Sequence, residues 1–179
     1  AGLGKGFVFH NKVAKDAIPE VFIKDIEAGL NDSLQGGVIA GYKLDDVEVT
    51  LLEAKYNELK STSMAYRIAA NMAMKDGARK ARPFLMEPIM KLEVVSPEDY
   101  TGDIINDISQ RRGKMENIDY RGELKVIDAR IPLSEAFGYA TAVRSMSQGR
   151  ATHTLQFSHY DLVPEAVMNR ILGRISGII

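Results

Sequence analysis

The order of predicted elements after Pro88 constrains the fold of this chain more than any other feature of its sequence. Apolar residues alternate or recur every three to four positions, as they do in strands and helices respectively. The predicted segments are a strand at 89–95, a helix carrying Ile104, Ile105 and Ile108, strands at 114–121 and 123–131, a helix capped by Ser134 with Phe137, Ala140 and Val143 inside, and a strand at 151–160. This β-α-β-β-α-β order is the split βαβ pattern of ferredoxin-like domains. Both helices of such a domain lie on one face of its sheet.

The first half of the chain shows a different order, which indicates a separate domain. A strand is predicted at 6–13 and another at 47–52, with a helix between them that opens at Ile18 and Pro19. A second helix follows a cap at Ser61, Thr62 or Ser63, and its apolar face carries Met64, Ile68 and Met72. Two prolines, Pro83 and Pro88, flank the link, so we predict an α+β protein with domains at 1–86 and 87–179.

Composition excludes several classes of protein. The chain has 179 residues and no cysteine, which excludes disulfides, thiolate chemistry and cysteine-bound zinc. No apolar run approaches the ~20 residues of a membrane span, and no signal pattern opens the chain, so a cytoplasmic protein is expected. The net charge of −1 supplies no global basic field, and any contact with nucleic acid must therefore come from local patches.

Several short motifs resemble bacterial elongation factor G. The run LMEPIMKLEV at 85–94 is similar to the junction of domains IV and V of that family. Domain V is matched by RRG at 111–113, PLSEAFGYAT at 132–141, Arg144 with Ser145, and QGRA at 148–151. Domain IV is matched by GFVF at 6–9, AIP at 17–19 and AGY at 40–42. The resemblance covers about residues 5 to 163.

The resemblance implies both a fold and a function. Residues 1–86 would form an incomplete, ribosomal-protein-like βα domain IV that lacks its N-terminal strand, and 87–179 a ferredoxin-like domain V with a C-terminal tail. The chain would be a ribosome-binding fragment that couples GTP hydrolysis in an absent N-terminal domain to translocation of tRNA and mRNA. GTP and Mg²⁺ would belong to the parent GTPase, and the fragment itself would have no enzymatic activity, cofactor or metal.

One loop is the expected tip of domain IV, which the family places in the decoding region near tRNA and mRNA. Its candidate contact residues are Lys55, Tyr56, Asn57, Glu58, Lys60 and Ser61. Asn57 stands where the family typically has a histidine, and this departure resembles the second, mitochondrial-type paralogue, which acts in ribosome recycling with the recycling factor. Lysine and tyrosine suit phosphate contact and base stacking. The alternative is an ordinary polar connection.

A second set of cations lies at the ends of the two predicted helices of domain V. The candidate residues that face rRNA near the sarcin-ricin loop and the stalk base are Arg111, Arg112, Lys114, Arg144, Gln148 and Arg150. We expect them to gather beside Gly113 and Gly149, where the backbone can approach RNA closely. The alternative is charge that stabilises helix ends. Phe137 is expected in the core.

A function of a different class also fits the fold. Ferredoxin-like domains often pair around ligands, so a small-molecule regulatory module is the rival hypothesis. The three histidines have no metal-ligand spacing.

Overall fold

The computed structural model describes residues 4–175, which divide into two compact units. The first comprises 4–83 together with 169–175, and the second is Phe84–Met168. The division lies three residues before the predicted one because the backbone N–H of Val163 donates to the carbonyl of Leu85 at 3.0 Å. Leu85 thereby extends the sheet of the second unit. The end of the chain, predicted as a tail of the second domain, is grouped with the first unit.

The first unit is built from two parallel strands and two helices. Its elements are β1 (Phe7–Asn11), α1 (Glu20–Gly36), β2 (Val47–Leu51) and α2 (Ser63–Lys80). β1 and β2 pair in parallel, and α1 connects them. The α1 helix ends at Gly37, which has φ of 53°. α2 begins after Thr62, whose hydroxyl accepts from the N–H of Ala65 at 3.1 Å, so one of the three predicted caps is used.

The two helices of the first unit pack closely. A Cβ built on Gly29 of α1 would lie 2.2 Å from the carbonyl oxygen of Arg67 in α2, so only glycine allows this approach. The buried residues of α2 are Ala70 and Met74. The predicted apolar face is instead exposed, by 64% at Met64 and 66% at Met72. Met72 follows Ala70 by two positions, which correspond to ~200° of rotation about the helix axis. The face that carries Met72 therefore points away from the one that carries Ala70.

The second unit contains a four-stranded antiparallel sheet. Its elements are β3 (Met86–Pro97), a 3₁₀ turn (Glu98–Tyr100), α3 (Thr101–Gln110), β4 (Lys114–Arg121), β5 (Leu124–Pro132), α4 (Leu133–Ala136), α5 (Tyr139–Met146) and β6 (Thr152–Leu162). The last helix, α6 (Glu165–Ile175), begins in this unit, and its residues 169–175 are grouped with the first. The strand order is β4-β5-β3-β6. This order, with one helix after β3 and another after β5, confirms the predicted ferredoxin-like fold.

One face of this sheet and the helices form the core of the second unit. Its buried members are Leu92, Val94, Ile104, Ile108, Ile127, Ala129, Ile131, Tyr139 and Val143. Each of them is no more than 1% exposed. Ile104 and Ile108 lie on one face of α3, as their spacing predicts.

The predicted second helix of this unit is broken in two. Phe137 has extended backbone angles and Gly138 has φ of 73°, which ends α4 and starts α5. Tyr139, two residues after Phe137, is fully buried and occupies the core position that the sequence pattern assigns to Phe137. Phe137 is 77% exposed, so the prediction that it belongs to the core is wrong.

Candidate nucleic-acid interface

The C-terminal ends of α3 and α5 have the same backbone geometry. At α3 the N–H of Gly113 donates to Ile108 O at 2.8 Å and that of Arg112 to Ser109 O at 3.1 Å. At α5 the N–H of Gly149 donates to Arg144 O at 2.8 Å, and Gln148 to Ser145 O at 3.4 Å. Each end is a Schellman motif, and its left-handed residue is not the glycine but the residue before it.

Those left-handed residues are Arg112, with φ of 61°, and Gln148, with φ of 52°. A non-glycine residue in this region costs roughly 1–2 kcal/mol, so each helix end carries a locally unfavourable residue. Strain of this kind is retained where the surrounding structure or the function requires the side chain.

Arg111 is engaged within its own domain. Its Nε donates to Asp107 Oδ2 at 2.8 Å, and its Nη1 donates to the carbonyls of Glu135 at 2.7 Å and Phe137 at 3.3 Å. The guanidinium also lies 5.3 Å from the ring centroid of Tyr139. Burial raises the pKa of the Tyr139 phenol, as does the charge of Asp107. Arg111 therefore connects the end of α3 to the break between α4 and α5.

Arg112 is also engaged internally. Its guanidinium forms a bidentate pair with Glu87, and its Nη1 lies 3.6 Å from Glu135 Oε1. The hydrogen bond to Glu87 and the charges of Glu87 and Glu135 raise the pKa of Arg112. The Glu87 side chain is only 11% exposed, so this pair is largely removed from water. Both guanidinium groups thus have partners inside the second unit, and a contact of Arg111 or Arg112 with RNA stays a prediction.

The end of α5 presents its polar side chains to solvent. Arg144, Gln148 and Arg150 are all exposed, and neither arginine forms an ion pair within residues 4–175. Beneath them Ser147 is fully buried, where its hydroxyl donates to Val143 O at 2.7 Å and accepts from the N–H of Ala151 at 3.0 Å. The turn is therefore held by two hydrogen bonds of a buried hydroxyl, while its cations are accessible.

The two helix ends lie at opposite ends of the sheet. Arg112 contacts Glu87 near the start of β3, whereas Thr152, just after Arg150, pairs with Val95 near the end of the same strand. The eight residues from Glu87 to Val95 span about 26 Å of strand. The six predicted cationic and amide residues consequently do not form one patch, because α3 and α5 run antiparallel. Lys114, exposed at the start of β4, lies at the α3 end.

The loop between β2 and α2 is organised by its own side chains. Asn57 Oδ1 accepts from the N–H groups of Leu59 at 3.0 Å and Lys60 at 3.1 Å, which is an Asx turn. The N–H of Asn57 donates to Ser61 Oγ at 2.9 Å. Tyr66 in α2 donates its hydroxyl to the carbonyl of Lys55 at 2.6 Å. Asn57 and Ser61 thus shape this loop.

The remaining candidates of this loop are accessible. Lys55, Tyr56, Glu58 and Lys60 are exposed, and the three charged ones form no ion pair within the described part of the chain. Tyr56 is held by ring contact with Phe22 at a centroid distance of 5.8 Å. Leu59 at the apex of the turn is 94% exposed, and nothing in the sequence distinguished it.

Both units match family models for one protein. Residues 1–82 match the model described as elongation factor G, domain IV, and residues 84–171 match the model described as elongation factor G C-terminus. The chain belongs to the elongation factor G family. Elongation factor G of Thermotoga maritima is 49% identical over 169 residues, and that of Thermotoga petrophila is 48% identical.

The family assignment extends over nearly the whole chain but over a small part of its relatives. The Thermotoga elongation factors are matched over 94% of this chain and 24% of their own length. A crystal structure of a protein from Thermus thermophilus aligns with a TM-score of 0.84 at 31% identity, covering 97% of this chain and 26% of that one. The surfaces described above lie in the parts that correspond to domain IV and the C-terminus of elongation factor G.

Between 4 and 175 the carboxylates and histidines form no cluster of three or more suited to a metal ion. Over the same residues no helix has the length and apolar character needed to cross a bilayer.

Proposed function

We propose that this chain is the ribosome-binding part of a translational GTPase and couples GTP hydrolysis elsewhere in the parent protein to movement of tRNA and mRNA. The observation that carries the proposal is the end of α5, where Arg144, Gln148 and Arg150 are exposed on a turn held by hydrogen bonds of the buried Ser147 hydroxyl. Arginine suits bidentate contact with phosphate, and the adjacent Gly149 lets RNA approach the backbone.

In this proposal the α5 end contacts rRNA near the sarcin-ricin loop and stalk base, with Lys114 as a separate contact at the other end of the sheet. Lys55, Tyr56, Glu58 and Lys60 reach tRNA and mRNA in the decoding region, on a loop shaped by Asn57 and Ser61. GTP and Mg²⁺ act in the parent protein, which we place in the cytoplasm, and this part of it has no turnover of its own.

Cosedimentation of the chain with ribosomes over a range of salt concentrations tests this function. Arg144→Ala combined with Arg150→Ala should weaken binding to ribosomes about tenfold or more. The slope of the logarithm of the binding constant against the logarithm of the salt concentration should decrease by the amount that corresponds to about two phosphate contacts. The matched control is Arg170→Ala with Arg174→Ala, which removes the same charge from exposed positions of α6. Undiminished binding of the first double variant, or an equal loss in the control, would remove the α5 end from the function.

A second candidate function is subunit splitting with ribosome recycling factor. Asn57 favours it, because this side chain stands where the family typically has a histidine, a departure that resembles the recycling paralogue. The parent protein should then split subunits in the presence of recycling factor and fail to support polypeptide synthesis. Activity in synthesis alone would exclude recycling.

A further inference from the structure

β3 and β6 continue past the end of β5 as a two-stranded ribbon. β5 ends at Pro132, which pairs with Ile89, so the residues of β3 before Ile89 pair with β6 alone. Residues that are directly opposite each other in an antiparallel pair project to the same face. On one face of β3 and β6 the pairs are all apolar, and they are Met86 with Leu162, Pro88 with Tyr160 and Met90 with Phe157. We call these six residues the ribbon strip.

The ribbon strip continues the core of the second unit along β3. Met90 packs against the buried cluster, and Leu92, two residues further on the same face of β3, is fully buried. The β6 side of the strip is open, since Phe157 is 57% exposed, Tyr160 59% and Leu162 55%. A bulge in β6 lies between Phe157 and Tyr160, whose ring centroids are 5.4 Å apart. A contiguous exposed apolar surface of this kind marks an interaction site.

The opposite face of the ribbon is polar, and its side chains are bonded within the second unit. Arg130 Nη1 donates to Ser158 Oγ and, at 3.1 Å, to His159 Nδ1. Glu87, whose position alternates with those of the strip, forms its ion pair with Arg112. By contrast, none of the six side chains of the ribbon strip carries a charge. The strip offers no cation to an RNA phosphate, so an apolar protein surface is the partner that it fits.

We propose that the ribbon strip docks an apolar surface of another domain of the parent elongation factor, one that lies outside this chain. The Thermotoga relatives are matched over only 24% of their length, so the greater part of such a protein is available as a partner in the same molecule. A surface that is permanently covered can be apolar throughout, as obligate interfaces are. The inference uses the family membership of the chain and does not depend on ribosome binding.

Hydroxyl-radical footprinting, mapped by mass spectrometry, tests the proposal without any substitution. In the isolated chain Tyr160 should be oxidised as readily as Tyr120 of β4, which is 62% exposed. In the parent protein free of ribosomes, oxidation of Tyr160 relative to Tyr120 should fall several-fold, because the docked domain excludes water from the strip. Phe157 and Leu162 should be protected together with Tyr160. Equal oxidation of the three residues in the chain and in the parent would overturn the proposal.

A charge placed in the ribbon strip supplies the second test. Leu162→Glu should restore oxidation of Tyr160 in the parent and leave the thermal unfolding of the isolated chain unchanged, because Leu162 is exposed there. The matched control is Leu124→Glu, which adds the same charge at an exposed leucine of β5 and should leave Tyr160 protected. Restored oxidation in the control would overturn the proposal.

Two further outcomes would identify a different partner and would also overturn the proposal. Protection of Tyr160 in the isolated chain that increases with protein concentration would indicate a second copy of the chain. Protection that appears only when ribosomes are added would indicate a ribosomal partner. The proposed ribosome-binding function is tested separately, since loss of cosedimentation with ribosomes would refute that function and would leave the protection of Tyr160 in the ribosome-free parent unaffected.

Discussion

The ends of α3 and α5 share one backbone motif and differ in what their arginines do. Both end in a Schellman turn with a non-glycine residue in the left-handed region and a glycine after it. At α3 the Arg112 guanidinium is paired with Glu87 and only 25% of its side chain is exposed. At α5, Arg144 and Arg150 remain exposed.

The difference follows from what each end meets across the sheet. The α3 end lies over the start of β3, where Glu87 is buried and needs a cation. At the other end of the sheet the carboxylate of Glu98 is paired with Lys125 at 2.6 Å. A turn motif therefore determines where a side chain projects, and the neighbouring strands determine whether it stabilises the fold or is free to bind a partner.

Replacing Arg112 should have the largest effect on stability. Arg112→Ala leaves Glu87 buried without its partner, and we expect a loss of about 3 kcal/mol in the stability of the second unit. Hydrogen exchange at the amide of Ile127, in the core strand β5, measures it. Arg144→Ala is the matched control and should change stability by less than about 0.5 kcal/mol. Equal losses in the two variants would mean that the two ends are not different.

The two glycines should also respond unequally to alanine. A Cβ at Gly113 would lie 2.6 Å from Ile108 O and 2.9 Å from Ile131 Cγ2, whereas at Gly149 no atom lies within 4 Å. We expect Gly113→Ala to cost about 2 kcal/mol through overpacking and Gly149→Ala about 1 kcal/mol, because φ of +78° disfavours a side chain. Urea unfolding of the two variants, with hydrogen exchange at the amide of Ile127 as the readout, compares their losses in stability. A larger loss for Gly149→Ala than for Gly113→Ala would contradict the difference in packing.

Arg111 should have an intermediate effect that is concentrated at the helix break. Arg111→Ala removes its bonds to Asp107 and to the carbonyls of Glu135 and Phe137, for which we expect a loss of about 1.5 kcal/mol. Arg111→Lys retains a charge near Asp107 but has no planar fork to reach both carbonyls, so it should recover only part of the loss. Exchange at the amide of Ala142, which donates to the carbonyl of Gly138 at 3.1 Å, should increase in both variants. If Arg111→Lys retained the full stability, the ion pair with Asp107 would be the only contribution of Arg111 to stability.

Gln148 should show the smallest effect, and it should be favourable. Gln148→Gly removes the cost of a side chain at φ of 52° and should stabilise the second unit by roughly 0.5–1 kcal/mol. Arg112→Gly relieves the same strain but loses the pair with Glu87, and should be destabilising. Thermal unfolding of both variants tests this contrast. If Gln148→Gly weakens ribosome binding while it stabilises the fold, the strained residue is retained for function.

Much of the fold was predictable because it depends on local patterns. The spacing of Ile104 and Ile108, the two neighbouring strands at 114–121 and 123–131, and the order of elements after Pro88 specify a split βαβ sheet, and the structure confirms it. The break at Gly138 was missed because Phe137 and Tyr139 are both large and aromatic. Periodicity alone could not show which of them enters the core.

The candidate sites depended more on contacts between distant segments. Arg112 and Arg150 are alike in sequence, because each lies next to a glycine at a helix end. Glu87 is 25 residues from Arg112, and no local pattern links them. The structure thus divides one predicted cationic set into a structural pair and an exposed group.

The sequence by itself determined the family, the order of the strands and the positions of α1, α2 and α3, because these depend on residues close together in the chain. Only the tertiary structure placed the end of α3 beside Glu87 and the end of α5 near Val95, at opposite ends of β3. It also decided which arginines have carboxylate partners. Those outcomes depend on strand order and register, which bring residues from different parts of the chain together.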